Sequence, residues 1–289
     1  MSTNDAIRLK GKPVVEALEA ALQPRIDRLL ADGVTPKLAI VRMGERPDDI
    51  AYERSIVKKC DTLRIAADVH ELPADAPESD LIYLLELLAR DAAVHGILPF
   101  RPLPPHISLK RVKESIKPSK DVDCVGPYSS ASIYDRSLAG FLPCTAEAVV
   151  ALLRHYAVPL EGAHVVVIGR SMVVGRALAL LLLDAHCTVT ICHSKTRNIR
   201  EVASEADILI SAIGQARMVD GGYVKQGSFV IDVGINDDGC GGICGDVDEA
   251  SVMRQGVAGV TPVPGGVGGV TTALLVRNVI EACEKSQKN

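Results

Sequence analysis

Apolar and polar positions change period repeatedly along the first third of the chain. Pro13 to Ala31 repeats apolar residues at helical spacing, Lys37-Leu-Ala-Ile-Val-Arg42 is a short apolar run closed by charges that predicts a strand, and the residues around Tyr52 return to a helical repeat. The alternation continues through a strand at Asp68-Val-His-Glu-Leu72 and a strongly apolar helix from Ser79 to Ala93. A buried strand follows at Gly96-Ile97-Leu98, which Pro99, Pro102, Pro104 and Pro105 are expected to stop. Strands alternating with helices imply a mostly parallel α/β sheet, in which ligands gather outside the carboxyl ends of the strands. The loops after Arg42, after Leu98 and around Lys120-Asp121-Val122-Asp123 are of that kind.

Thr145 stands where it could cap a helix from Ala146 to Ala157 that carries the chain into a second domain. There the pattern becomes more apolar. Val165-Val-Val-Ile168 passes directly into Gly169-Arg170-Ser171-Met172-Val173-Val174-Gly175-Arg176 and a long apolar helix, and Val189-Thr-Ile-Cys192, Ile208-Leu-Ile-Ser-Ala212 and Val230-Ile-Asp-Val233 supply further short strands. Strand, glycine turn and helix in that order make a Rossmann-type dinucleotide-binding domain the leading reading of this half. A last helix, Thr271 to Lys285, is expected to return to the first domain. The expected division is a first domain over 1–146, joined by the C-terminal helix 271–289, and a dinucleotide domain over 147–270.

A nucleotide turn needs glycine where the chain reverses tightly and where the helix packs close to the strand, so that N–H groups at the helix start can face a diphosphate. Gly169 and Gly175 fill the outer positions, Ser171 replaces the middle glycine, and the outer spacing is one residue longer than usual. An ordinary βα turn is the alternative. Beyond the second strand of this half comes His193-Ser194-Lys195-Thr196-Arg197, with no acid to take a ribose hydroxyl pair. Arg170, Lys195 and Arg197 are instead available to a 2′-phosphate, which favours NADP over NAD.

Composition narrows the classes. The 289 residues are 47% hydrophobic with a net charge of -4, no Trp and 3% aromatics, which leaves neither a broad basic surface nor rings for stacking bases and disfavours nucleic acid. No apolar run follows Met1 and no run reaches membrane-spanning length, so a soluble, cytoplasmic protein without a membrane partner is expected. The 8 cysteines are then expected to be free thiols, and Cys240 and Cys244 lack a second ligand pair for a metal.

Taken in order, Gly44 to Tyr52, Gly96-Ile97-Leu98 with Pro102-Leu103-Pro104, Lys120-Asp121-Val122-Asp123, Pro143-Cys144-Thr145, Gly169-Arg170-Ser171 with Val174-Gly175-Arg176, Cys192-His193-Ser194-Lys195-Thr196, Asp232-Val233-Gly234-Ile235-Asn236, Gly245-Asp246-Val247 and Thr261-Pro262-Val263-Pro264-Gly265-Gly266-Val267-Gly268 resemble the methylenetetrahydrofolate dehydrogenase/cyclohydrolase family over essentially the whole length. The resemblance implies a two-domain protomer, usually a homodimer, with folate in a cleft between the domains and NADP on the second. It sets Tyr52 at the tyrosine that stacks on folate and Asp123 at the acid that hydrogen-bonds the pterin, with Asp49, Leu103, Pro264, Gly265 and Gly266 also on the substrate side. On the cofactor side it sets Thr145, Gly169, Arg170, Ser171, Val174 and Gly175, then His193, Ser194 and Lys195. Ala212, Ile213 and Gly214, and after them Asp232, Gly234 and Ile235, complete that side.

The family's second activity, hydrolysis of the methenyl bridge, uses a lysine tuned by a glutamine; by the resemblance Ile56 stands at the lysine position and Phe100 at the glutamine position. Neither side chain can carry a proton. Asp49 stands where serine is usual, Arg101 where an apolar residue is usual, and Gly269 where proline is usual. The leading account is a dehydrogenase with cyclohydrolase activity lost or strongly reduced. A second is an NADP-dependent oxidoreductase of another one-carbon or imine-like substrate, and a third is a bifunctional enzyme in which Lys58 or Lys59 stands in. On a helix Lys59 shares the face of Tyr52 and Ile56 but lies about 4.5 Å beyond Ile56 along the axis, while Lys58 turns away. The fourth is a catalytically silent NADP-binding protein.

Overall fold

A computed structural model describes residues 6–288. Its elements in chain order are β1 (Ile7–Arg8), α1 (Gly11–Ala31), β2 (Lys37–Met43), α2 (Pro47–Thr62), β3 (Ala66–Leu72), α3 (Glu78–Arg90), β4 (Gly96–Pro99), α4 (Leu109–Ser115), α5 (Pro127–Tyr134) and α6 (Cys144–His155). There follow β5 (His164–Ile168), α7 (Gly175–Asp184), β6 (Thr188–Cys192), α8 (Ile199–Ser204), β7 (Ile208–Ser211), β8 (Phe229–Asp232), β9 (Asn236–Asp237), β10 (Ile243–Cys244), α9 (Glu249–Arg254), β11 (Gly259–Val260) and α10 (Val267–Ser286). The chain is α/β and divides into two compact units: Ala17–Cys144 with the residues from Thr272 onward, and the residues up to Glu16 with Thr145–Thr271.

The first unit is built on a three-stranded parallel sheet in the order β3-β2-β4. Leu38, Ala39, Ile40 and Val41 on the central strand are almost wholly buried, as a strand covered on both faces requires. Apolar side chains of α3, Leu81, Leu85 and Leu88, pack with Ala39, Val41 and Ile97. From α10, Asn278 donates through Nδ2 to the carbonyl of Val122 at 2.8 Å, and a Cβ on Gly96 would lie 3.0 Å from the side chains of Val122 and Val279, so glycine leaves room where that helix packs on β4. Pro99, expected to end the strand, is its last residue and pairs with Val41. On an edge strand the missing N–H can face away from the sheet, and the ladder resumes at Phe100, whose N–H donates to Val41 at 2.8 Å.

The second unit holds a six-stranded parallel sheet in the order β1-β11-β8-β7-β5-β6. Val165, Val166, Val167 and Ile168 are at most 1% exposed, so β5 is buried on both faces. From β5 the chain goes first to β6 on one side and then to β7 on the other, which makes the carboxyl ends of β5 and β7 the point where the winding reverses. Residues 6–16 were expected with the first unit, yet Ile7 and Arg8 pair with Gly259 and Val260 at the edge of this sheet. A two-residue strand has no period of its own, and the unpaired edge of β11 supplies the order. Thr145 also differs from expectation: α6 already begins at Cys144, and the Cys144 N–H donates to Asp123 Oδ1 at 3.2 Å, so a carboxylate from another loop does the work of the cap.

Among the described residues no helix is long and apolar enough to cross a membrane, and no group of His, Cys, Asp or Glu could hold a metal ion. The eight cysteines are free thiols, and seven of them are buried.

Candidate active site and cofactor turn

In the first unit the helix carrying Tyr52 is fixed by a buried arginine. Arg42, on β2 and 4% exposed, donates through Nε to Glu53 Oε2 at 2.8 Å and pairs through Nη2 with Glu71 Oε1 at 2.7 Å, tying α2 and β3 to the central strand. The partner on α2 is the residue after Tyr52, so the ion pair sets which way that turn faces. The Tyr52 ring stacks on Phe100, with centroids 5.4 Å apart and planes at 29°. Phe100 is buried just beyond β4, while Tyr52 keeps 38% of its surface exposed. Desolvation, and then the charge of Asp123, still push the Tyr52 phenol above its ordinary value, so it stays a neutral donor and acceptor.

Asp123 is the polar centre of this face. Its Oδ2 accepts from Arg101 Nη2 at 3.1 Å and its Oδ1 from the Cys144 N–H at 3.2 Å. Burial pushes the carboxyl up, against the opposing pull of the Arg101 guanidinium and the hydrogen bonds from Cys144. The structure therefore brings Tyr52, Phe100, Arg101 and Asp123 together from three chain segments. Asp49 lies in the first turn of α2, 3.9 Å from Arg46, and Leu103 is half-buried against the core. Neighbouring acids have other work: Asp121, 1% exposed, accepts from the N–H groups of Val125 and Gly126 at 2.7 and 2.8 Å.

Ile56 is fully buried one turn beyond Tyr52. Lys59 is half-buried and bound to Glu19 of α1, and Lys58 is exposed on another side of the helix.

In the second unit Gly169 ends β5 with φ 127°, and a Cβ there would lie 2.4 Å from the carbonyl oxygen of Ala212 at the end of β7. A Cβ on Gly175 would lie 2.1 Å from the Gly169 oxygen. Both contacts are to backbone, so only glycine lets the turn fold this tightly where the winding reverses. Ser171 Oγ accepts from the Val174 N–H at 3.2 Å and closes the turn from inside, a job for a side chain at the position where a third glycine is usual. At the end of β6, His193 and Thr196 form a reciprocal turn, with N–H to Oγ1 at 2.9 Å and Thr196 N–H to the His193 carbonyl at 2.8 Å. That turn leaves Ser194 and Lys195 exposed, and Arg170 is exposed as well. A tight glycine cradle with exposed cations at the neighbouring strand end fits a dinucleotide carrying an extra phosphate.

The loop after β7 is held by an acid that reading the sequence did not place in the site. Asp246, fully buried, accepts from Ser211 Oγ, from the N–H groups of Ile213, Gly214 and Gln215, and from Asn236 Nδ2, at 2.8–3.3 Å. Asp232, expected among the cofactor residues, is 3% exposed and spends its carboxylate on the N–H groups of Gly234, Asp246 and Val247 at 2.9–3.0 Å. Desolvation pushes it up to about 6 against those hydrogen bonds. Pro264, Gly265 and Gly266 also fall in this unit, where the Gly265 carbonyl accepts from the Gly11 N–H at 2.8 Å.

Residues 9–123 match the catalytic domain of tetrahydrofolate dehydrogenase/cyclohydrolase and residues 143–287 match its NAD(P)-binding domain. The chain belongs to the tetrahydrofolate dehydrogenase/cyclohydrolase family. It is 50% identical over 289 residues to the bifunctional protein FolD of Clostridioides difficile, covering 100% of both chains. It is 48% identical to a bifunctional protein FolD of Desulfitobacterium hafniense, covering 96% of this chain and 99% of that one. Among solved structures it resembles the bifunctional FolD enzyme of Campylobacter jejuni, with a TM-score of 0.93, 37% identity and coverage of 97% and 99%. The Trypanosoma brucei FolD, solved with NADP cofactor and an inhibitor, gives a TM-score of 0.93 at 34% identity, covering 98% and 99%. The family's two-domain α/β architecture, a catalytic domain and a Rossmann-like NAD(P)-binding domain, is thus the architecture of this chain.

Proposed function

We propose that this member of the family is an NADP-dependent methylenetetrahydrofolate dehydrogenase in one-carbon metabolism whose cyclohydrolase activity is lost or strongly reduced. The observation that carries the reading is that a fully buried Ile56 and a buried Phe100 ring, the latter stacked on Tyr52, occupy the two positions where the resemblance sets the proton-handling lysine and glutamine. The relatives named bifunctional are the reason to test the second activity directly. Lys59 does not stand in under this reading, because Glu19 holds it.

NADP, when bound, supplies the hydride acceptor. The chain's part in that half-reaction is positional. Tyr52 offers an exposed ring face for the pterin-bearing end of the substrate, Asp123 offers acceptor oxygens to its N–H groups, and the Phe100 ring backs the tyrosine so that the stack cannot tilt away. Hydride loss from the methylene bridge needs no protein base, because the two flanking nitrogens of the substrate stabilise the cation that forms. Opening that cation with water does need a proton carrier, and neither the Ile56 nor the Phe100 side chain provides one. Exposed Arg170, Ser194 and Lys195, with no acid at the end of β6, favour NADP over NAD.

The test supplies methylenetetrahydrofolate and NADP and follows NADPH and the methenyl absorbance separately. The reading expects NADPH with stoichiometric methenyltetrahydrofolate that decays no faster than without enzyme. Enzyme-dependent decay of the methenyl band refutes the loss of hydrolysis, and absence of NADPH refutes the dehydrogenase.

A further inference from the structure

We propose that Arg101 is a positioning residue for substrate recognition: it holds Asp123 as an oriented carboxylate whose remaining lone pairs take the paired N–H groups of an aminopyrimidinone edge. This rests on the folate reading above, and it assigns a role to a residue that the resemblance records only as a departure.

The geometry sets the guanidinium on Oδ2 and the Cys144 N–H on Oδ1, with the Cys144 thiol as a further, weaker donor to the carboxylate. The guanidinium and the N–H come from different segments and fix the plane of the carboxylate. A carboxylate oxygen accepts about two hydrogen bonds, so each keeps capacity for one more, and two parallel N–H groups on a planar ring match that pair of vacancies. The Asp123 side chain remains 20% exposed and that of Arg101 25%, so the free edge is reachable. Among the described residues Arg101 forms its hydrogen bond and ion pair with Asp123 alone.

An acid buried to this degree is poorly hydrated and needs a compensating charge to remain ionised. The groups facing Asp123 are Arg101 beyond β4, Tyr52 on α2, Asp121 in its own loop and Cys144 at the start of α6; the guanidinium is the cation among them. Asp121 adds negative charge and pushes Asp123 the other way. Removing Arg101 therefore leaves the acid without its counter-charge and held from the Cys144 side alone.

The experiment compares wild type with Arg101→Leu and Arg101→Lys in the full-length protein. For Arg101→Leu the expected result is a rise of about tenfold in KM for methylenetetrahydrofolate, the scale of one charge-assisted hydrogen bond, with kcat and the NADP KM within about twofold. The acid limb of kcat/KM for the folate should move to higher pH, because the removed cation had held the carboxyl down. Arg101→Lys keeps the charge but not the planar fork, so it should return the acid limb toward wild type while recovering KM only in part. An unchanged KM with an unchanged acid limb overturns the proposal. A uniform loss of kcat and both KM values that tracks a lower Tm, with no shift of the limb, also overturns it by making Arg101 merely structural. If wild type fails to oxidise methylenetetrahydrofolate, the dehydrogenase reading falls, and calorimetric titration of tetrahydrofolate at about pH 6 and pH 8 then judges Arg101 separately. Weaker and more pH-sensitive binding to Arg101→Leu supports the proposal; equal binding overturns it.

Discussion

Replacing Ile56 by lysine places an amine where the structure has no exposed surface at all. Full burial depresses a lysine by about 3–5 pH units, so near pH 7 the folded state holds it largely neutral, and at 1.36 kcal/mol per pH unit below about 10.4 the cost of Ile56→Lys is about 4–5 kcal/mol there. A domain is typically stable by only about 5–15 kcal/mol, so the single variant should sit close to unfolding. The sign follows from proton binding. With its folded value depressed, the introduced amine binds fewer protons in the native state than in the unfolded one, so stability is lost as pH falls below the unfolded value of about 10.4 and regained as pH rises toward it. Thermal melts of Ile56→Lys should therefore show a large Tm deficit near pH 7 that shrinks toward pH 10. Adding Phe100→Gln removes the ring that stacks on Tyr52 and provides a hydrogen-bonding neighbour, so the double variant should regain part of the deficit and show enzyme-dependent decay of methenyltetrahydrofolate. A Tm deficit that is small or independent of pH would refute the view of Ile56 as a dry position. A stable double variant without hydrolysis would refute the view that this pair alone accounts for the missing step.

Three further outcomes follow from the second unit. Gly175→Ala forces a Cβ to within 2.1 Å of the Gly169 oxygen, which backbone cannot yield cheaply, so calorimetry should show NADP affinity reduced at least about tenfold or the protein failing to fold; unchanged binding would show that the turn relaxes. Replacing Arg170 and Lys195 together by alanine should weaken NADP by about tenfold while leaving NAD binding nearly unchanged, measured by the same titration. Asp232, pushed up to about 6 from an ordinary value of 3.8, contributes stability that is full below 3.8 and is lost as pH rises through 6. The Tm of wild type relative to Asp232→Asn should accordingly fall between about pH 4 and pH 6 and then level; a flat difference would show that its hydrogen bonds outweigh its burial.

Much of this architecture is readable in the chain because buried parallel strands carry continuous apolar runs. Val165 to Ile168 and the Gly169–Gly175 turn declare a dinucleotide half by their residues alone, and the Tyr52 helix is announced by its repeat. What was illegible depends on partners distant in sequence. Ile7 and Arg8 become a strand only beside Gly259 and Val260, and Pro99 is tolerated only because β4 is an edge. Asp246, flanked by Gly245 and Val247, reads as a turn residue, and nothing local reveals that it gathers donors from Ser211, Ile213, Gly214, Gln215 and Asn236. Arg101 looked like an oddity in an apolar position until the fold placed Asp123 at 3.1 Å from it.

The pairing of Ile7 and Arg8 with Gly259 and Val260 bears on how the protein is made. During synthesis the edge strand leaves the ribosome well before its neighbour, which follows about 250 residues later. The dinucleotide sheet must then wait with β11 unpaired on one side, and an excised fragment starting at Thr145 would keep that edge open permanently. Such a fragment should associate edge to edge where the full chain does not, and supplying the N-terminal residues as a separate peptide should suppress that association.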